Sequence, residues 1–224
     1  MTNIYSFWIS GELQDVNKLC IKSVQENGHK LIIYSYIPLD VKCEVRDARE
    51  ILPESEIYYY KHFSESFKFG GIAERLKAEM LHNLGGMHID LDVVLLKPLQ
   101  FDTEYAFRPH PQGIVCNFVK APAKSEFTKF YVDWTKAITS ENKDWELSFK
   151  GLIQFLDKNP ELKQYIQPIE ELGSDLPEYW QDFIITDREP SESLKMIHMC
   201  NAIQLCKDYK KGSFYEKLLI KYKI

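Results

Sequence analysis

Residues 4–36 read IYSFWISGELQDVNKLCIKSVQENGHKLIIYSY. Ile4 to Ile9 is short, apolar and aromatic and halts at Ser10-Gly11, as a buried strand does where it runs into a turn. From Asp15 onward, Val16, Leu19, Cys20 and Val24 recur at helical spacing, and Asn27-Gly28 closes the pattern with residues that accept a left-handed C-cap. Leu31 to Tyr36 is a second apolar run that stops short of Pro38. Strand, helix and strand in one span form a βαβ unit, whose strands lie parallel with a right-handed crossover. The expected fold class is therefore α/β, a single Rossmann-like, mostly parallel sheet flanked by helices.

Downstream, Ile72, Leu76, Met80 and Leu84 repeat every fourth residue with Ala73 and Leu81 beside them, which predicts a helix over 72–84 with one stripe in a core. Arg75, Glu79 and His82 share another face of it. Gly85-Gly86 stops the helix, because glycine takes the left-handed conformation without steric cost. Met87-His88-Ile89 then leads into Asp90-Leu91-Asp92, and Val93 to Leu96 resumes an apolar run before Pro98. Short strands are expected at Tyr105–Arg108 and Ile114–Val119. Phe127, Phe130, Tyr131, Trp134 and Ile138 predict a helix from Ser125, and Trp145, Phe149, Leu152, Ile153 and Leu156 predict another. Residues 159–181 hold three prolines and little period and read as a long surface loop. Phe183–Thr186 and Leu194–Met199 read as short strands, and Ser213-Phe214-Tyr215-Glu216 is the capping box of a last helix. No repeat, low-complexity tract or linker interrupts the chain, so one domain over 1–224 is expected.

The 224 residues are 45% apolar and 27% charged, which excludes wholesale disorder, collagen and a membrane bundle. A net charge of −5 gives no long-range attraction to nucleic acid. Cys20, Cys43, Cys116, Cys200 and Cys206 are an odd set without a C-x-x-C pair, the usage of a reduced chain with cysteine as a small core residue. The N-terminus lacks a basic, then apolar, leader, and no run approaches the ~20 apolar residues of a membrane span. A soluble cytoplasmic protein, at most peripheral to a membrane through its lysine-rich tail (Lys207, Lys210, Lys211, Lys217, Lys221, Lys223), is expected.

Asp90 and Asp92 are the sharpest feature. Two carboxylates two apart on a strand face the same way, with Leu91 turned into the core. Between strongly apolar segments, ionised carboxylates require a cation or hydrogen-bond donors, and hard oxygen ligands suit Mn²⁺ or Mg²⁺. The bland reading of a bare D-x-D is an exposed acidic turn. The α/β context favours a site, since ligands in such sheets bind beyond the carboxyl ends of the strands. Two chemistries use the pair: a divalent ion bridging the aspartates and a nucleotide diphosphate, or an aspartyl nucleophile in phosphoryl transfer. Asp90-Leu91-Asp92-Val93-Val94-Leu95 resembles the opening motif of the haloacid dehalogenase-like phosphatases. That family carries its motif on the first strand, whereas here a whole βαβ unit precedes it and no Asp-Asp or Gly-Asp follows.

A second resemblance spans most of the chain. Phe7-Trp8-Ile9-Ser10-Gly11, Cys20-Ile21-Lys22-Ser23, Asn27-Gly28-His29, Tyr34-Ser35-Tyr36 and Asp47-Ala48-Arg49-Glu50-Ile51-Leu52-Pro53 precede a central block of Arg75, Leu84-Gly85-Gly86 and Asp90 to Pro98. His198 and Asn201 follow as His-x-x-Asn. This pattern resembles the glycosyltransferases with a DXD-containing sugar-binding region, the capsular-polysaccharide enzymes and the Och-type mannosyltransferases. The resemblance implies a type A glycosyltransferase fold, with residues 1–100 as the nucleotide-sugar-binding half and 101–224 as the acceptor-side half. It implies a UDP- or GDP-linked sugar donor, a glycan or glycoconjugate acceptor, Mn²⁺ (or Mg²⁺), and retention of anomeric configuration.

By the same resemblance Asp92 is the principal metal ligand, Asp90 reaches the ribose or the same metal, and His198 is a third ligand or a diphosphate contact. Phe7 and Trp8 lie beside the base, Arg75 binds the donor sugar or diphosphate, and Asn201 belongs to the donor site. Each has a plainer rival: Trp8 as a core aromatic, Arg75 as a helix charge paired with Glu79, His198 as a core histidine. Asn117 is a candidate for the acceptor side. One departure stands out. Where the pattern carries Ser-Asp three residues before its arginine, this chain has Gly71-Ile72, leaving Glu74 or Glu65 to supply the carboxylate. A non-catalytic nucleotide-sugar or glycan-binding module on the same fold is the alternative that this departure supports.

Overall fold

The first strand, β1 (Asn3–Trp8), buries Ile4 and Ser6. α1 (Asp15–Glu26) packs on Val16, Leu19, Cys20, Ile21 and Val24 and leads to β2 (Lys30–Ser35). β1 and β2 pair in parallel from Asn3↔Lys30 to Trp8↔Ser35. The N-terminal βαβ unit read from the sequence is thus present, with Gly28 at φ +79° making the turn after α1. This computed structural model describes residues 3–64, 68–144, 146–200 and 203–224.

The chain continues through β3 (Glu44–Asp47), α2 (Gly70–Leu84), β4 (Gly86–Ile89), β5 (Val93–Leu95), β6 (Ala106–His110) and β7 (Gly113–Ala121). Next come α3 (Glu126–Lys136), α4 (Leu147–Lys158), α5 (Ile169–Leu172), α6 (Asp182–Ile185), β8 (Met196–His198), α7 (Ile203–Lys207) and α8 (Phe214–Tyr222). The main sheet has the order β3-β2-β1-β4-β7-β6. β3, β2, β1 and β4 run parallel, whereas β7 is antiparallel to β4 and β6 antiparallel to β7. β5 leaves this sheet and pairs with β8 in a separate two-stranded ribbon.

Helices cover the sheet through distinct apolar clusters. Ile72, Leu76 and Met80 of α2 meet Ile32, Tyr34 and Tyr36, while Ala78 and Leu81 meet β6, β7, α3 and α4. Val16 and Leu19 of α1 pack with Val94, Ile197, Phe183 and the α8 residues Tyr215, Leu218 and Leu219. That last cluster fixes the ribbon against α1. Among the described residues no helix is long and apolar enough to cross a membrane, and the five cysteines are free thiols.

Two expectations need correction. Residues 159–181 do not form a featureless loop: a 3₁₀ turn at Pro160–Tyr165, the short α5 and a second 3₁₀ turn at Pro177–Tyr179 divide them. The apolar run at 183–186 is largely helical rather than extended, because Phe183 and Ile184 bury together beneath α8. A run of three or four apolar residues does not distinguish the two states by periodicity. Trp145 lies outside the described residues.

Candidate active site

Asp90 and Asp92 sit where β4 leaves the main sheet. β1 and β4 are parallel neighbours with Tyr5 opposite His88, so the pair lies at the same rim as Trp8, beyond the carboxyl ends of both strands. The tripeptide is not part of a strand, as strand alternation had implied. Asp90-Leu91-Asp92 is a tight turn closed by the Val93 N–H donating to the Asp90 carbonyl at 3.0 Å, and Leu91 is buried in the sheet core.

The carboxylates converge for a tertiary reason. Asp90 N–H donates to the Asn117 carbonyl of β7 at 2.8 Å, and Met199 N–H donates to the Asp92 carbonyl at 3.0 Å. β5 pairs with β8 so that Val93 opposes His198. His198 Nε2 consequently lies 3.3 Å from Asp92 Oδ2. One ligand atom each from Asp90, Asp92 and His198 lie within 4.8 Å of one another.

Asp90 is held from the protein side by Lys77 of α2, whose Nζ is 3.0 Å from Asp90 Oδ1 and 2.8 Å from Glu74 Oε1. His88 Nε2 donates to the same Asp90 oxygen at 3.0 Å, and Phe7 stacks on the His88 ring with centroids 5.5 Å apart. The Tyr131 hydroxyl donates to the other side of Glu74. Lys77 is only 1% exposed. Burial alone would lower its pKa, but the Asp90 and Glu74 carboxylates hold it well above the ordinary lysine value. Burial likewise opposes the charge on Asp90, and the Lys77 ammonium with the His88 hydrogen bond overcomes it, holding the carboxyl below its usual range. His88 is pushed down by burial, which its bond to Asp90 offsets only in part.

A second polar group holds His198. Its Nδ1 is 2.8 Å from Asp175 Oδ1, 2.9 Å from Asn117 Nδ2 and 3.4 Å from Cys200 Sγ. Ionised carboxylates only accept, and Nδ1 faces Asp175 while Nε2 faces Asp92, so with no metal bound both ring nitrogens carry a proton. Arg108, fully buried next to a bulge in β6, donates from Nη1 to Asp175 Oδ1 at 2.5 Å and to Asn117 Oδ1 at 3.2 Å. Burial would lower the His198 pKa, but Asp92 and the hydrogen bond to Asp175 raise it well above the free imidazole value. Burial of Asp175 is in turn outweighed by His198 and Arg108, which keep its carboxyl low.

No known protein family and no curated protein matches the sequence. Solved structures do match the fold. The structure described as PaToxG glycosyltransferase aligns with TM-score 0.51 at 16% identity, over 74% of this chain and 74% of its own. A transferase mutant aligns over 75% of this chain and 91% of its own, at 10% identity and TM-score 0.45. The fold is that of the type A glycosyltransferases.

Within the type A fold, the expected residues fall into three groups. Asp90, Asp92, His198 and Asn117 come together, with Phe7 one ring away. Trp8 lies at the same rim, its Nε1–H donating to the Gly11 carbonyl at 2.9 Å. Arg75 is only 8% exposed, and its guanidinium meets Glu79 at 2.8 Å and Glu56 at 3.4 Å; the α2 cation that reaches Asp90 is Lys77. Asn201 and Glu65 lie outside the described residues.

The Gly71-Ile72 departure has a packing cause. A Cβ on Gly71 would lie 2.5 Å from the Tyr58 hydroxyl and 2.6 Å from the Tyr60 ring, and Ile72 is buried with Tyr36 and Leu76. A side chain at position 71 would have to displace the ends of the Tyr58 and Tyr60 rings, while Glu74, further along the helix, is joined to Asp90 through Lys77.

The donor set suits a divalent ion of the manganese or magnesium type, two carboxylates and an imidazole being hard-to-borderline ligands. Lys77, Arg108 and Asp175 carry the site's electrostatics but were not singled out in the sequence. Lys77 follows Leu76 of the core stripe and stands three residues after Glu74, a spacing at which a buried ion pair is sterically natural. Asp175 had no local signal, since only the chain path after α5 brings it to His198.

Proposed function

We propose that the protein is a metal-dependent glycosyltransferase that moves a hexose from a nucleoside-diphosphate sugar, UDP- or GDP-linked, to a glycan or glycoconjugate hydroxyl with retention of configuration. The observation that carries this reading is the Asp90-Leu91-Asp92 turn at the carboxyl rim of a type A sheet, with His198 brought to Asp92 by the β5–β8 pairing. The likeness in fold to a glycosyltransferase supports it.

Asp92 and His198 would hold the ion, with Asp90 beside them. When bound, the ion supplies Lewis-acid neutralisation of the charge that grows on a departing diphosphate. The chain's own residues do the rest by preorganisation. Lys77 and His88 fix Asp90 as an ionised acceptor for donor hydroxyls. Asp175 and Asn117 fix the His198 ring, and Arg108 fixes both. Phe7 and Trp8 offer aromatic surface at the rim where a base would lie, Arg75 is a candidate for the donor sugar or diphosphate, and Asn201 is assigned to the donor side by resemblance alone. Lys217 and Lys221 of α8, flanking the exposed Ile220, provide for weak contact with anionic lipid, checked by sedimentation with anionic and neutral vesicles.

The test is a panel of nucleotide sugars with and without manganese. Wild type should release nucleoside diphosphate and free sugar from one donor, and manganese at ~100 times its Kd should add about 2.7 kcal/mol of stability. Asp92→Ala should lose both effects. Full activity in Asp92→Ala would remove the metal from the reading. Donor binding with no release under any condition would instead identify a binding module.

A further inference from the structure

His198 faces two ways. Its Nε2 points to the Asp90–Asp92 turn, and its Nδ1 points to Asp175 and Cys200, which with His198 form a second group whose ligand atoms lie within 4.8 Å of one another. All three side chains are partly accessible. A tetrahedral zinc ion with bonds of about 2.0 Å to nitrogen and oxygen and 2.3 Å to sulfur needs those atoms about 3.3–3.6 Å apart. Cys200 Sγ is 3.4 Å from His198 Nδ1, already at that spacing, while Asp175 Oδ1 at 2.8 Å must open by about 0.5 Å. Cys200 has φ +50°, and Sγ also contacts the His198 carbonyl, 3.6 Å away. Arg108 tethers Asp175 through Oδ1, while Asn117 Nδ2 stands 3.4 Å from Oδ2, so this carboxylate keeps lone pairs for a cation.

We propose that Asp175, His198 and Cys200 form a second metal site, for a thiophilic divalent cation of the zinc type, that competes with the Asp90–Asp92 site for His198. The donor sets differ in kind: two carboxylates and an imidazole against a thiolate, an imidazole and one carboxylate. Soft sulfur selects zinc over manganese or magnesium. On binding, the Cys200 thiol proton and the His198 Nδ1 proton pass to solvent, S–metal, N–metal and O–metal bonds form with Nε2–H kept toward Asp92, and a water completes the tetrahedron.

Exclusion follows from the imidazole itself. A neutral ring has one nitrogen lone pair and one N–H. With a metal on Nε2 the Nδ1–H is donated to Asp175, and with a metal on Nδ1 the Nε2–H is donated to Asp92. Occupation of the Cys200 site therefore takes one ligand from the other site and turns the protein off by a cation other than the one it would use. The competition rests on the proposed role of His198 in holding manganese, whereas the Cys200 site does not.

Two titrations of the full chain separate these. Cobalt(II) should give a thiolate-to-cobalt charge-transfer band at about one equivalent, displaced by zinc, absent in Cys200→Ser and retained in Cys43→Ser, the other partly exposed thiol. Manganese binding followed by electron paramagnetic resonance should be reversed by one equivalent of zinc in wild type. In Cys200→Ser, manganese affinity should stay within about twofold of wild type and the release should need at least ~10-fold more zinc. No thiolate band, or a band that survives Cys200→Ser, overturns the second site. Zinc and manganese bound together at full occupancy overturn the competition. A Cys200-dependent band in a chain that never binds manganese upholds the second site and defeats the proposed function instead.

Discussion

Lys77 is the cation that holds the acidic turn from the protein side. It is buried, it touches both Asp90 and Glu74, and a buried ion pair that loses one partner leaves an uncompensated charge. Lys77→Met should therefore cost about 3–5 kcal/mol in urea unfolding. Asp90→Asn placed in that background should recover part of the loss, since one of the stranded carboxylates is then neutral. Strictly additive costs in this double-mutant cycle would show that the two groups do not interact. Arg75 offers an instructive contrast. It was the cation that the sequence pattern brought forward, yet its guanidinium is taken up by Glu79 and Glu56 while Lys77 reaches the turn. Both lie on one helix, both are buried and both have acids at helical spacing, so the direction of the side chain, not spacing or burial, separates their contacts.

At the level of elements, the end of α2 sets the start of β4 and hence the position of the turn. Gly85 has φ +62°, and a Cβ there would come 2.4 Å from the Ala123 backbone nitrogen. Gly85→Ala thus combines a left-handed backbone with a clash against main chain and should destabilise by well over 1 kcal/mol, read from urea unfolding. An unchanged midpoint would mean that α2 is not stopped by this glycine. At the C-terminus, Ser213 Oγ accepts the Glu216 N–H at 3.2 Å as the N-cap of α8, and Glu216 reaches back to the Gly212 N–H rather than that of Ser213. The capping box is thus displaced by one residue on its return arm. Ser213→Ala should cost about 1 kcal/mol, read from thermal melts, and glycine there less.

For the whole molecule, stability should fall on the alkaline side. Burial pushes the Cys43 thiol up to about 11, and burial with the nearby Glu54 carboxylate pushes the Tyr36 hydroxyl up to about 12. Both groups keep their protons in the fold at pH values where the unfolded chain, with ordinary values of 9.0 and 10.0, loses them. Their contribution is complete below the unfolded values and disappears as pH rises through the folded ones. Urea midpoints should hold steady below about pH 9 and then decline up to about pH 12, with tyrosinate absorbance growing as the protein unfolds. A flat midpoint across that range would contradict the burial of both groups. Burial pushes the Cys206 thiol up to about 11 as well, so Cys43→Ser should make the early decline shallower without removing it, Cys206 and Tyr36 carrying the rest.

The sequence by itself determined the α/β class, the parallel β1–α1–β2 unit, the helix over 72–84 with its glycine stop and the Ser213 N-cap of α8. It also brought Asp90 and Asp92 forward as the pair to watch. These are consequences of local physics: apolar periods of two and 3.6, side-chain capping, and the steric freedom of glycine. Only the tertiary structure decided that the pair lies on a turn between two sheets and that His198 comes to it by β5–β8 pairing. It likewise chose Lys77 as the buried cation and carried Asp175 to the far side of the imidazole. Asn117 and His198 are 81 residues apart yet 2.9 Å from one another. No local pattern encodes such a meeting, because it is fixed by the burial of α1, the ribbon and α8 in one cluster and by the electrostatics of charges held away from water.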